Sequence, residues 1–226
     1  EAAIERVLTE IETVLATRRL RQTVTTALAG LQLPPDTQAA SLPNGLVLRL
    51  LSDDELTDLA SHDVTFGHHQ DITSHSVNSC FVATEDVAYA LEHNAPQATL
   101  MPTFEQKISE RVSSALSAMH LTKEGRVGVF VNVYSLRPAV FPHLGGHSSW
   151  PLVRSPFSSM ALTEAELNDF LAIHQRLLQN TRDELQISAN RLSDAENRLS
   201  PVDALLDAAI GLEVLLNPMD STELSF

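Results

Sequence analysis

The chain gathers imidazoles and carboxylates where they could hold a metal. It has nine histidines, and His62, Asp63, His68, His69, Asp71 and His75 all fall between positions 62 and 75. Both side-chain types are good zinc ligands. A zinc site also needs fixed spacing on defined elements, such as two histidines one helical turn apart. This stretch is polar, aperiodic and lacks that spacing. The expected state is a solvated loop without metal. His143 and His147 have a ligand-like separation, but Gly145 and Gly146 between them oppose a helix that would bring both rings to one face. The same glycine pair is no phosphate cradle, since no strand, lysine or helix start accompanies it.

A second pair of candidates is acidic. Asp207 and Glu213 interrupt the apolar run PVDALLDAAIGLEVLL from Pro201 to Leu216. Six positions apart, they lie on different faces of a helix, so they are no acid–base couple. Each needs a partner if it is buried. Either could line a polar interior or cap a neighbour; the structural alternative is a buried acid bonded to backbone or arginine. These two are the candidate catalytic residues. The single cysteine, Cys80, rules out an internal disulfide and reads as a buried structural thiol in a strand.

These groups must be positioned by elements of two kinds. Apolar residues at three- and four-residue steps, from Ile4 to Leu15, predict a helix over residues 1 to about 29, closed by Gly30 and Pro34-Pro35. Leu46 to Leu51 predicts a short strand after the Asn44-Gly45 turn. Ser52 and Glu55 form a capping box for a helix through Ala60. Cys80 to Thr84 predicts a strand. From Thr103, Ile108, Val112, Ala115, Leu116 and Met119 mark a long helix. Val127, Val129, Val131 and Val133 alternate as in a strand. Residues 137 to 160 are rich in Pro, Gly, Ser and His and mark a boundary.

Beyond that boundary the signals are helical. Thr163 and Glu166 form a second capping box, and Leu167, Phe170, Leu171, His174, Leu177 and Leu178 give an inner face. Helical propensity persists through Arg191. Ser200 then caps the helix that Pro201 opens. A helix apolar around most of its circumference is expected between other helices. The fold class is α+β: a mixed α/β N-terminal region over 1–150, followed by an all-α bundle over 160–226, incomplete at its end.

Composition bounds the function. Fifteen basic and 29 acidic residues give a formal net charge of −14. No general basic field exists to grip a phosphate backbone. The run Arg18, Arg19 and Arg21 is the densest basic patch and reads as a solvated helix face. No apolar run is long enough to span a bilayer, and no secretory signal is visible, so no membrane association and a cytoplasmic site are expected.

The run LLDAAIGLEVLLNPMDSTELSF, with an Asp, an aliphatic step, Leu-Glu-x-Leu-Leu and then Glu-Leu-Ser-aromatic, resembles the Apea-like HEPN family. The resemblance implies a four- to five-helix bundle. It also implies a prokaryotic defence or toxin-type system, with RNA cut without metal across a homodimer cleft. In such nucleases Arg, four to six residues and His share a helix: the His is base for a ribose 2′-hydroxyl, and the Arg holds phosphate. That helix would start at or after Phe226, so the 226 residues would be an inactive fragment, already helical at Glu1. Arg137 and His143 have the spacing, but two prolines between them bar a helix. Family members often carry Arg just before the Leu-aliphatic-Asp step. Here Ala204 stands there, and Arg198 is the available substitute. A bundle lacking its last helices would leave one side of Pro201–Leu216 bare and associate through it, as a homo-oligomer or with a protein partner. The alternative function is a non-catalytic helical scaffold or sensing module for protein–protein assembly, which the negative charge favours over nucleic acid.

Overall fold

The computed structural model describes residues 2–37, 39–65, 77–88, 101–137, 146–148, 159–180, 183–198 and 200–216. The helices are α1 (Ala2–Thr17), α2 (Asp53–Thr65), α3 (Met101–Thr122), α4 (Glu164–Gln179), α5 (Asp183–Asn197) and α6 (Pro201–Leu216). The strands are β1 (Arg19–Ala29), β2 (Leu31–Gln32), β3 (Ala40–Ser41), β4 (Val47–Leu50), β5 (Ser79–Ala88), β6 (Gly128–Arg137), β7 (Gly146–Ser148) and β8 (Met160–Ala161). The architecture is α+β, an N-terminal antiparallel sheet with helices followed by the helical region α4–α6.

The main sheet has the order β3-β4-β5-β1-β6-β7. Its centre, β1, corrects the single helix expected over residues 1 to 29. The helical stripe stops at Leu15, Arg18 adopts a left-handed φ of 52°, and β1 begins at Arg19. From there the apolar period drops to two, and Thr23, Val24, Thr25 and Thr26 supply β-branched residues that suit a pleat. Leu20, Gln22, Val24, Thr26 and Leu28 are accordingly all buried on one face. The basic run is therefore a helix end leading into a strand rather than a helix face, and Arg21 pairs with Asp86 on β5 at 3.3 Å.

The valines of β6 do not share one face. The register with β1 shifts between Ala27 and Leu28, where Leu28 faces Val129 and Ala27 faces Val131. Phe130 is the extra residue. A bulge of this kind reverses the alternation. Val127 and Val129 join the main core under α3, whereas Phe130, Val131 and Val133 join a smaller cluster with Cys80, Leu51 and Leu59 under α2.

The main core lies between the sheet and the helices. Ile108, Val112, Ala115 and Met119 of α3 meet Val24, Leu28, Leu48 and Phe81 of the sheet. Phe170 and Leu177 of α4 and Ala189 of α5 belong to the same core, so the helical region and the sheet share one apolar interior. β8 adds to β2 in parallel, with Met160 N donating to Gly30 O at 2.7 Å and Leu162 N to Gln32 O at 3.0 Å.

Both capping boxes form. Ser52 Oγ accepts from Glu55 N at 3.3 Å while Glu55 Oε2 accepts from Ser52 N at 2.9 Å. Thr163 and Glu166 do the same at the start of α4. Helix α2 runs on past the expected end at Ala60 to Thr65. The helix expected through Arg191 instead stops at Asn180, whose backbone is extended, and restarts at Asp183. The break lets α5 fold back along α3. On α4, Leu167, Phe170, His174 and Leu177 are buried as expected, but Leu178 is 43 % exposed.

Candidate functional site

The two candidate acids share a helix and nothing else. Asp207 is buried at 4 % exposure. Arg198 Nε reaches its Oδ2 at 2.6 Å, and Arg191 Nη1 reaches its Oδ1 at 3.1 Å. Hydrogen bonding to Arg198 holds the Asp207 carboxyl below the usual carboxylate range and raises the Arg198 guanidinium. An acid with both oxygens committed to two guanidiniums is a structural clamp rather than a proton donor or acceptor. Glu213 lies on the exposed side of α6.

The clamp fixes α6 on α5. Gly211 is the other buried residue of the contact: a Cβ there would stand 3.2 Å from Ser188 O and 3.3 Å from Arg191 Cβ. Small residues let helix backbones approach this closely. This arrangement overturns the burial expected for α6. Its buried side is Asp207 and Gly211, and its leucines point away: Leu205 is 72 % exposed, Leu206 58 %, Leu212 51 % and Leu216 78 %. Among the described residues α5 is its main neighbour, and one contact line cannot cover a helix that is apolar almost all round. Replacing Asp207 with Leu should therefore lower the denaturant midpoint, because it leaves two cations facing an apolar side chain. Asp207→Asn should fall between the two. Equal midpoints for all three proteins would show that the clamp does not hold the hairpin.

A polar seam runs between α3 and α5 and was missed in the sequence. Ser117 Oγ donates to Asn190 Oδ1 at 2.9 Å, and His120 Nδ1 and Ser193 Oγ lie 2.7 Å apart. The signal was there: Ser113, Ser117 and His120 repeat at four and three residues beside the apolar stripe of α3. Gln186, Asn190, Ser193 and Asn197 repeat likewise on α5. Burial alone brings the His120 imidazole down to about 4.

Among the described residues the remaining candidates form no common site. Cys80 is fully buried, and burial pushes its thiol up to about 12, which makes it inert. His62 and Asp63 lie on α2, while His68, His69, Asp71 and His75 lie outside the described residues, as does His143. Arg137 ends β6 and His147 belongs to β7. Among the described residues no cluster of three metal-ligating side chains occurs and no helix is long and apolar enough to cross a membrane. No helix among them carries Arg followed by His at nuclease spacing.

No protein-family model, curated protein or solved structure matches the chain.

Proposed function

We propose that the chain is the assembly-bearing part of a HEPN-family protein of a prokaryotic defence or toxin-type system directed at RNA in the cytoplasm. The observation that carries this reading is α6. The helix with the Leu-Glu-x-Leu-Leu pattern is pinned to α5 by the Arg191–Asp207–Arg198 clamp and turns its leucines outward. A hairpin held rigidly on one side and apolar on the other suits a bundle completed by further helices or by a second copy. In this reading RNA cleavage needs no metal or cofactor. It belongs to an Arg–His helix in the assembled protein, while Asp207 serves architecture.

The second reading, a non-catalytic scaffold, is favoured by the charge of −14, which repels RNA from any surface without a local basic patch. Incubating total RNA with the 226-residue chain and with any longer natural form separates the two. Metal-independent cleavage by the longer form alone supports the nuclease system. Absence of cleavage by either supports the scaffold. Cleavage by the 226-residue chain that His143→Ala abolishes would sink the assignment of chemistry to another helix.

Association is the sharper expectation. Light scattering should give a mass above that of one 24.7 kDa chain. The double substitution Leu205→Asp, Leu212→Asp should return it to monomer with little change in melting temperature, because both side chains are more than half exposed within one chain. A wild-type monomer at high concentration would remove the ground for the assembly role.

A further inference from the structure

A cavity of about 330 Å³ opens between α3, β6 and the last turns of α5. None of its described lining residues belongs to the Arg191–Asp207–Arg198 clamp, and the proposed function makes no use of it. Its volume is at the small end of the ~300–1,000 Å³ typical of ligand sites. Ile108, Val112, Leu116, Val127 and Val129 give it an apolar floor. Gly128 keeps that floor open: a Cβ there would meet no atom within 4 Å.

The polar groups of the lining are mostly oxygens. Asp194 supplies a carboxylate on the exposed side of α5. Ser109 and Ser113 supply hydroxyls from α3. Asn197 donates its Nδ2 to Ser193 O at 3.2 Å, which leaves Oδ1 to accept from a ligand. Asn132 lines the sheet side with its Oδ1 already accepting from Thr26 at 2.6 Å. No lysine or arginine is among the described lining residues. Arg198 feels the charge of Asp194, but its guanidinium is bonded to Asp207 at 2.6 Å.

A phosphate or carboxylate ligand meets no cation among the described lining residues and a carboxylate that repels it. A ligand rich in donors, positively charged and carrying a methylene body matches both the oxygens and the floor. We infer that this cavity binds a small aliphatic ammonium ion of the diamine or polyamine class, with one ammonium at Asp194 and Asn197 and its methylenes along Val112, Leu116 and Val129. The net charge of −14 would raise the local concentration of such cations.

The probe is putrescine, with spermidine alongside and 1,4-butanediol as the uncharged counterpart, titrated by calorimetry at low and physiological salt. Putrescine should bind with one site per chain, and butanediol should not. Asp194→Asn should weaken putrescine roughly tenfold or more by removing the charge at the mouth. Gly128→Leu and, separately, Ser113→Leu fill or cover the cavity without altering any charge, and each should abolish binding. Ser113 is exposed, so that variant tests the site even if Gly128→Leu does not fold. Binding that survives both leucine variants, or that lacks one-to-one stoichiometry, is diffuse attraction to an acidic surface and overturns the proposal. So does the absence of putrescine binding to the unaltered chain, or equal binding of butanediol.

Discussion

Lowering the pH from neutrality to about 4.5 should strip stability from this protein before its paired carboxylates protonate. The cause is two imidazoles held neutral in the core. His174 is fully buried, stacked on Phe170 with ring centroids 6.1 Å apart. Asn44 Nδ2 donates to its Nε2 at 3.3 Å, which puts the ring proton on Nδ1, where it meets no partner among the described residues. His120 is buried between α3 and α5, with Ser193 on Nδ1 and nothing described on Nε2. Desolvation brings each ring down to about 4.

The unfolded chain binds these protons near the ordinary value of about 6.5. Protons are therefore taken up on unfolding between the two values, and stability falls as pH falls through that window. The contribution is complete above about pH 6.5, shrinks steadily below it, and is gone near pH 4. Each pKa unit corresponds to about 1.4 kcal/mol, so each ring contributes on the order of 3 kcal/mol. The ion-paired carboxyls act later: Glu55 is held at about 2 by Arg49, and Asp207 is lowered by Arg198. Urea midpoints measured between pH 7.5 and 4.5 should decline, and His120→Asn and His174→Gln should each flatten the slope whatever their midpoint at neutrality. A slope unchanged by both substitutions would place the acid sensitivity elsewhere.

His174 also shows what the sequence could reveal. Its place on the inner face of α4 is legible because the signal is local: the Thr163–Glu166 box fixes the helix start, and the 3.6-residue period does the rest. The Ser52–Glu55 box and the strand at Cys80 are legible for the same reason. β1 is less legible: its period of two and its β-branched run Thr23 to Thr26 follow the helical stripe of α1 with no Gly or Pro between them, and pairing with β5 and β6, from more than 50 positions away, fixes the strand. The bulge at Phe130 is likewise a property of two strands together. At α6, composition gave the right element and the wrong surroundings: an all-round apolar helix implies neighbours, but sequence does not say how many one chain supplies. Arginine was legible as a kind of partner for a buried Asp207, and Arg198 as a substitute for the arginine expected at Ala204, but not their pairing. Arg191 was not legible, since the break at Asn180 that aims α5 at α6 reads as continuous helix.

The joint between sheet and helical region gives the largest single-residue effect expected. Gly30 has a φ of +82° and follows β1, where its carbonyl accepts from Met160 N. A Cβ at Gly30 would collide with the carbonyl oxygen of Arg126, a backbone atom that cannot rotate away. Gly125, at φ +147°, faces the same joint, with its Cβ position 2.8 Å from Met160 Cβ. Met160 itself is fully buried, so neither side of the contact has slack. A left-handed conformation costs a residue with a Cβ about 1–2 kcal/mol, and overpacking adds about 1–3 kcal/mol. Gly30→Ala should therefore destabilise by roughly 3 kcal/mol, a fall of about 6–12 °C in melting temperature for a chain of this size. The matched control is Gly128→Ala in β6, where a Cβ meets nothing and the change should stay within about 0.5 kcal/mol. The damage should also be directional. In Gly30→Ala, amides of α4 and α5 should lose hydrogen-exchange protection ahead of those of β1 and β5, because the β2–β8 pairing that docks the helical region fails first. Since the described contacts that pin α6 come from α5 and Arg198, loosening this joint should weaken association through the leucine face as well. Uniform loss of protection across sheet and helices would mean that the two share one cooperative unit, and that the glycines matter to the core as a whole rather than to the joint.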